Sequence, residues 1–156
     1  MVTGRFCLPV LVLGSLFVSH MGLAAENWPH AIDRYVAEVR ETIDTVEMDG
    51  YLAAVKNPNG ALLLDVREED EFKTGHVPGV VNIPRGLLEF RIWKPLGYPT
   101  SIDMNRKIYV QCATGNRATL AAKQLKDIGF TNVTVVVMAV SDWQAKGYPF
   151  IKDESK

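Results

Sequence analysis

The stretch of the chain that decides the fold is Val110-Gln111-Cys112-Ala113-Thr114-Gly115-Asn116-Arg117-Ala118. It continues an apolar segment over 107–111 that has the length and composition of a buried strand. It leads into a helix predicted over 116–128, whose buried stripe consists of apolar residues at helical spacing: Leu120, Ala121, Leu125 and Ile128. A strand, a short loop and a helix in direct succession are typical of one unit of a parallel sheet.

The same alternation of strands and helices extends to both sides of this stretch. Four more strands are predicted from short apolar or extended runs: one near Thr45, and others over 61–64, 80–83 and 133–137. We expect the runs over 61–64 and 80–83 to be buried on both faces of the sheet. Helices are predicted over 30–43, 48–56, 68–73 and 87–92, and in a short last segment that carries Trp143. The pattern indicates an α/β domain with a parallel sheet flanked by helices on both faces.

Cys112 stands at the end of the strand over 107–111, and parallel sheets bind ligands at that edge. The unpaired N–H groups of a helix N-terminus favour an anion there, so a thiolate at Cys112 is stabilised. Gly115 lets the loop turn with its N–H groups inward. We therefore predict a backbone anion cradle made by one continuous loop: Ala113, Thr114, Gly115, Asn116, Arg117 and Ala118.

Two points about this cradle stay open at the sequence level. Arg117 contacts the bound anion, ties the loop down through a salt bridge, or does both. Cys112 is either the working thiol or a small buried hydrophobe at a strand end. The predicted chemistry needs neither a metal ion nor a cofactor, and it needs no histidine.

The loop resembles the active-site loop of the rhodanese family, Cys-x-x-Gly-x-Arg. Two upstream stretches, Leu64-Asp65-Val66-Arg67-Glu68 and the segment from Glu71 to Pro84, resemble that family's other signatures in the right order and spacing. The likeness covers roughly residues 42–150. It implies a rhodanese-like fold, with a five-stranded parallel sheet flanked by helices on both faces.

The resemblance also implies a sulfurtransferase that moves sulfane sulfur through a Cys112 persulfide. The partners would be a small anionic donor such as thiosulfate and a thiol or protein acceptor. A sulfur-carrier module without turnover of its own is the main alternative. A cysteine phosphatase or arsenate reductase is disfavoured, because those enzymes typically hold five residues between cysteine and arginine, whereas four stand between Cys112 and Arg117.

Other residues are assigned supporting roles. Asp65 and Arg67 are expected to pin loops at the carboxyl edge of the sheet, and His76 to orient the turn over 75–79. Arg85 is the candidate contact for the anionic donor, with Phe90 and Trp93 as one wall of the pocket. The run Glu68-Glu69-Asp70-Glu71 is interpreted as a solvated helix start. The sequence departs from the family at Met138 and Ala139, where a glycine pair is usual.

The length, the net charge and the first residues of the chain limit its domain count, its partners and its cellular compartment. The chain has 156 residues, of which 47% are hydrophobic, and this suits one globular domain. Its formal net charge is −1, so no strong electrostatic field would attract nucleic acid. Residues 1–25 are typical of a signal peptide cleaved after Ala24 or Ala25, although an uncleaved anchor is the alternative. Cleavage would leave Cys112 as the sole cysteine, in a protein exported to the bacterial periplasm with no stable membrane insertion. We divide the chain into a signal segment over 1–25, a helical extension over 26–41, the rhodanese domain over 42–150 and a tail over 151–156.

Overall fold

The fold is a single parallel sheet in the part of the chain that the computed structural model describes, residues 30–152. The five strands are β1 (Asp44–Glu47), β2 (Leu62–Asp65), β3 (Val81–Asn82), β4 (Ile108–Gln111) and β5 (Val133–Val137). Their order across the sheet is β1-β5-β4-β2-β3, and every pairing is parallel. The predicted five-stranded α/β architecture is confirmed.

Helices cover both faces of the sheet. They are α1 (His30–Glu41), α2 (Met48–Lys56), α3 (Glu69–Lys73), α4 (Leu88–Arg91), α5 (Asn116–Asp127) and α6 (Val140–Ala145), with 3₁₀ turns over Arg85–Leu87 and Lys94–Leu96. One core cluster joins α1, α4 and α5 to the sheet, and a second joins α2 and α6 to the opposite face. Trp143 and Tyr51, which are fully buried, are the largest side chains of the second cluster.

The side-chain alternation of β2 explains why the sheet needs helices on both sides. Leu62 and Leu64 pack in the first core cluster, whereas Leu63 packs in the second. Since successive side chains of a strand point to opposite faces, a strand that is apolar at each position must be covered twice. The prediction that the run over 61–64 is buried on both faces is confirmed for β2.

The predictions for 80–83 and 87–92 need correction. β3 contains only Val81 and Asn82, and Val81 is 36% exposed because β3 is the edge strand and pairs with β2 alone. The helix expected over 87–92 is reduced to α4, with 3₁₀ turns before and after it. Pro95 cannot donate a helical hydrogen bond, and Gly97 takes a left-handed conformation with φ +104°, so a longer helix ends here.

Strand register gathers the polar ends of three strands at one edge. Asp65 at the end of β2 lies opposite Gln111 of β4 on one side and Asn82 of β3 on the other. Cys112 follows Gln111 directly in the chain. The parallel arrangement therefore brings Cys112 and the polar residues that follow β2 to the same carboxyl edge.

The two chain ends differ in how much of each is described. The predicted signal segment over 1–25 lies outside the described residues, whereas α1 supplies the helix expected before the domain and packs against α5. Ile151, in the predicted tail, exchanges two backbone hydrogen bonds with His76, both 2.8 Å long. No helix between residues 30 and 152 is long and apolar enough to cross a membrane.

The positions where the resemblance expects a glycine pair carry side chains that the fold uses. Met138 is 5% exposed and packs in the second core cluster, and Ala139 is extended, with φ −93° and ψ 136°. Neither backbone conformation is one that only glycine adopts. This chain therefore fills that place with a core side chain.

Replacing the buried side chain should destabilise the fold. We expect Met138→Gly to lower the free energy of unfolding by about 3 kcal/mol, because it removes a buried methionine and leaves a cavity. Ala139→Gly is the matched control and should cost about 1 kcal/mol or less. Urea denaturation of both variants measures the difference. Equal stabilities would show that Met138 does not hold this packing.

Candidate active site

The Cys112 side chain is buried and hydrogen-bonded to the backbone of its own loop. Cys112 is 1% exposed, and its thiol does not form a disulfide. The amide of Gly115 donates to Cys112 Sγ at 3.2 Å, and the amide of Ala118 donates at 3.4 Å. Both donors lie at the start of α5, where the helix dipole also favours negative charge. The sulfur therefore sits in a site built to accept an anion.

Further amides of the loop are available for the same purpose. The N–H groups of Ala113, Thr114, Asn116 and Arg117 have no protein acceptor within residues 30–152. Those of Asn116 and Arg117 belong to the first turn of α5, whose N–H groups have no partner inside the helix. Unpaired N–H groups at the start of a helix favour the binding of an anion.

Gly115 allows the loop to close around the sulfur. It has φ +90° and ψ −20°, a conformation that costs residues with a Cβ about 1–2 kcal/mol. A Cβ at this position would lie 3.5 Å from the carbonyl oxygen of Val136, so the loop packs closely against β5. The amide of Val140 donates to the Ala113 carbonyl at 2.9 Å and fixes the other side of the loop.

Arg117 forms a bidentate ion pair with Glu71. Its two terminal nitrogens donate to Glu71 Oε2 at 2.6 Å and to Oε1 at 2.7 Å. These hydrogen bonds are the main reason why the pKa of Glu71 falls to about 2, and the same pair raises the pKa of Arg117 well above its usual range. The sequence left two roles open for Arg117, and the structure shows one of them, the salt bridge with Glu71.

The interpretation of the acidic run as a solvated helix start is wrong for Glu71. Besides Arg117, Glu71 accepts a hydrogen bond from the backbone amide of Glu68 at 3.1 Å, which closes a capping box at the start of α3. Glu71 therefore connects α3 to the Cys112 loop. Its partner is 46 positions away, which is why local sequence gave no sign of the contact.

Asp65 and Arg67 form a buried ion pair beneath the site. Arg67 Nη2 lies 2.8 Å from Asp65 Oδ2, and Gln111 Nε2 donates to the same carboxylate at 2.9 Å. Arg67 also donates to the Gly75 carbonyl at 3.0 Å, and the Asn82 side chain donates to the Arg67 carbonyl at 2.9 Å. The pair thus connects the ends of three strands with the turn that follows α3.

His76 takes part in this turn through its ring and its backbone. The ring stacks on Phe72 with a centroid distance of 4.1 Å, and its Nδ1 lies 3.1 Å from the Val77 carbonyl oxygen. The backbone of His76 pairs with Ile151. His76 therefore links the segment between α3 and β3 to Ile151, while its ring packs on Phe72.

Arg85 lies just after the edge strand and pairs with Glu89. Its Nη1 is 3.2 Å from Glu89 Oε1, and the Arg85 side chain is 30% exposed. Phe90 and Trp93 do not form a wall of the Cys112 pocket, contrary to expectation. They line a separate groove of about 880 Å³, to which no residue of the loop over 112–118 contributes. Trp93 is held there because its indole packs on Phe130.

Arg40 is a contact that the sequence analysis missed. It lies near the end of α1, and it donates to Thr119 Oγ1 at 3.1 Å and to Asn116 Oδ1 at 2.9 Å. Its position on the buried side of α1 was readable in principle, because Arg40 follows the buried Val36 by four residues. Its partners in α5 were not readable, since they are 76 and 79 positions away.

The described residues offer no cluster suited to a metal ion. No group of three or more histidine, cysteine, aspartate or glutamate side chains between residues 30 and 152 has the required arrangement. The groups that the structure places at the site are the Cys112 thiol, the loop amides and the ion pairs around them.

Comparison with known proteins points to one family. A family model described as the rhodanese-like domain matches residues 48–146. A Bacillus subtilis (strain 168) protein named as a sulfur carrier, YrkF, is 33% identical over 110 residues, which cover 70% of this chain and 56% of that protein. The thiosulfate:glutathione sulfurtransferase of Saccharomyces cerevisiae is 29% identical over 101 residues, with coverages of 59% and 70%.

A solved structure of similar fold carries a different functional suggestion. It is a Rhodopseudomonas palustris protein of unknown function described as a possible tyrosine phosphatase. The TM-score is 0.64 at 26% identity, and the match covers 77% of this chain and 93% of the other. The chain spans about half the length of YrkF, and it spans 26% and 20% of two fungal relatives named as adenylyltransferase and sulfurtransferase proteins.

The Glu71–Arg117 pair predicts a pH dependence of stability. Because the pKa of Glu71 is about 2 in the folded protein and 4.5 without these contacts, the ionised carboxylate stabilises the fold above about pH 4.5. This contribution is lost as the pH falls towards 2. We expect Glu71→Gln to be less stable than the wild type at neutral pH and to lose less stability on acidification through this window.

Thermal unfolding from neutral pH down to about pH 2 measures both effects. Glu69→Gln is the matched control, because the nearest cation to Glu69 is Arg91 at 3.9 Å and both side chains are more than half exposed. Parallel stability profiles for the wild type and Glu71→Gln across the acid range would contradict the assignment.

Proposed function

This chain belongs to the rhodanese-like domain family, and we propose that it is an exported sulfurtransferase that carries sulfane sulfur as a persulfide on Cys112. Its relatives include sulfurtransferases and sulfur carriers at modest identity. The observation that carries the proposal is the pair of amide hydrogen bonds to Cys112 Sγ from Gly115 and Ala118. They favour a negatively charged sulfur, which is the nucleophile in this chemistry.

The proposed reaction has two displacement steps. The Cys112 thiolate attacks the outer sulfur of a donor such as thiosulfate, a new S–S bond forms, and the donor's S–S bond breaks. Sulfite leaves with the electron pair, and a Cys112 persulfide remains. A thiolate acceptor then attacks the outer sulfur of the persulfide, and Cys112 leaves as the thiolate. No net oxidation or reduction is needed beyond the transfer of one sulfur atom.

The loop donors support both steps of this reaction. The outer sulfur of a persulfide is anionic, and the remaining amides of Ala113, Thr114, Asn116 and Arg117 are free to donate to it. Preorganised amides stabilise developing charge without reorientation. The burial of Cys112 at 1% exposure also suits a donor that presents one small terminal atom to the sulfur.

A phosphatase reaction is less well supported by the same residues. In such an enzyme the loop arginine would bind phosphate oxygens through its two-pronged guanidinium. Here both terminal nitrogens of Arg117 already donate hydrogen bonds to the Glu71 carboxylate, at 2.6 and 2.7 Å. The loop also holds only four residues between Cys112 and Arg117, which makes a smaller cradle.

A sulfur-carrier function is the second candidate, and one observation favours it. The Bacillus relative is named as a sulfur carrier, whereas the yeast relative is named for transfer from thiosulfate to glutathione. Both functions begin with loading of Cys112. They differ in whether a small thiol removes the sulfur rapidly or a protein partner must do so.

We further propose Arg85 as the contact for an anionic donor. Its ion pair with Glu89 is partly exposed at 3.2 Å, and exposed pairs of this kind contribute little to stability. An anionic donor can therefore replace Glu89 at small cost. We also propose that the mature protein starts after Ala24 or Ala25 and acts in the periplasm. The mass of the protein recovered from that compartment tests this directly.

Replacing the sulfur nucleophile should abolish loading and transfer together. We expect Cys112→Ser to show no persulfide mass increment after incubation with thiosulfate and no thiosulfate:cyanide activity, because an alcohol cannot form the S–S bond. Its thermal stability should stay close to that of the wild type, since serine is similar in size. Wild-type rates of sulfur transfer in Cys112→Ser would overturn the mechanism.

Persulfide loading and steady-state turnover, measured together on the wild type, distinguish the enzyme from the carrier. Loading of the wild type together with steady-state turnover on thiosulfate and a small thiol supports the enzyme. Loading without turnover supports the carrier. Arg85→Gln, measured alongside, should raise the KM for thiosulfate and leave kcat nearly unchanged if Arg85 contacts the donor.

Loop geometry can be tested without removing the cysteine. We expect Gly115→Ala to lower the rate of persulfide formation at least tenfold, because alanine disfavours φ +90° and moves the amide that donates to Cys112 Sγ. Gly147→Ala is the matched control: Gly147 also has positive φ, at +69°, but lies in open space away from the loop. Both variants should lose similar stability. An equal loss of loading rate in both would contradict a specific role for the Gly115 amide.

A further inference from the structure

The positive charges around the Cys112 loop are mostly neutralised by adjacent carboxylates. Arg117 is paired with Glu71, and Arg67 with Asp65. Each of these pairs is close to charge-neutral as a unit, so neither supplies a full positive charge to the sulfur. Arg117 still interacts electrostatically with Cys112, but the adjacent Glu71 carboxylate offsets part of its charge.

Arg40 differs from these arginines in the nature of its partners. Its two hydrogen-bond acceptors at the loop, Thr119 Oγ1 and Asn116 Oδ1, are neutral oxygens. Its guanidinium keeps its full charge while being held in a fixed place. Arg40 Nη2 lies 3.8 Å from the point where a Cβ would stand on Gly115. The positive charge is therefore close to the residue whose amide donates to Cys112 Sγ.

The contacts of Arg40 also continue into the loop backbone. Thr119 Oγ1, which accepts from Arg40 Nε, donates in turn to the Gly115 carbonyl oxygen at 2.9 Å. Thr119 is fully buried, so its hydrogen bond to Gly115 is shielded from solvent, whereas its hydrogen bond with Arg40 is partly buried. Thr119 fixes the carbonyl group of Gly115, the same residue whose N–H donates to the sulfur.

We propose that Arg40 is a positioning residue for Cys112: it clamps the loop through Asn116 and Thr119 and supplies the uncompensated positive charge that favours the thiolate. Arg40 lies in α1, outside residues 48–146 that match the family model. The helix that precedes the family domain in this chain thus becomes part of its active site. The inference extends the proposed sulfur transfer but depends only on the ionisation of Cys112.

The test is a pH titration of the thiolate, followed by its ultraviolet absorbance in the full chain. Cys112→Ser serves as the blank, so that Cys7 and the tyrosines cancel in the difference. Arg40→Gln should move the titration midpoint of the Cys112 thiol to higher pH by about half a unit, which is the effect of losing one nearby, partly screened charge. Thermal unfolding of the variant verifies that it is folded.

Two further variants separate charge from simple structural support. Arg34→Gln is the matched control, because it removes one positive charge from an exposed position of α1. It should leave the midpoint unchanged. Arg40→Lys keeps the charge but loses the forked hydrogen bonds, so its midpoint should lie between those of the wild type and Arg40→Gln.

The outcomes are decisive in either direction. The order wild type, Arg40→Lys, Arg40→Gln, with Arg34→Gln at the wild-type value, supports the proposal. Equal shifts in Arg40→Gln and Arg34→Gln, no shift in Arg40→Gln, or equal shifts in Arg40→Lys and Arg40→Gln would each overturn it. Because no sulfur donor is used, the titration gives its answer even if Cys112 is found not to transfer sulfur.

Discussion

The amide hydrogen bonds from Gly115 and Ala118 to Cys112 Sγ are the constraint on which the site depends. They require the chain to leave β4, turn through a left-handed residue and enter α5 within a few positions. That path is possible because the loop is held on three sides: by β5 near Gly115, by the Val140 amide, and by the ion pair of Arg117. The three supports come from β5, from the start of α6 and from α3. The parallel fold thus serves to bring them together.

The ion pairs around the loop hold structural elements together more than they contribute to the electrostatic field at the sulfur. A guanidinium paired with a carboxylate holds two elements at a fixed distance but contributes little net field at a neighbouring atom. Asp65–Arg67 and Glu71–Arg117 are of this kind, and they connect β2, α3 and the loop. The loop amides therefore contribute to the field at the sulfur, together with a cation whose partners are neutral, as proposed for Arg40. A motif arginine can hold the loop in place while a neighbouring carboxylate offsets part of its charge.

Much of the fold was predictable because it is encoded by local patterns. The turn from β4 through Cys112 into α5 was located to within about one residue, since an apolar run, a glycine and helical spacing mark it unambiguously. β3 was misjudged because an edge strand and a buried strand share the same apolar residues, and only sheet order distinguishes them. Glu71 and Arg40 were missed for a different reason. Their partners are 46 or more positions away, and no local pattern reports such contacts.

Burial of Cys112 does not make it inert, because what matters is the chemistry of the groups that bury it. A thiol surrounded only by apolar side chains loses its anionic form, since desolvation is not compensated. Here the apolar neighbours of the first core cluster cover one side, and N–H groups of α5 face the sulfur on the other. A low local dielectric strengthens those hydrogen bonds. The same burial that excludes water therefore increases the effect of each amide and of any fixed charge beside the loop.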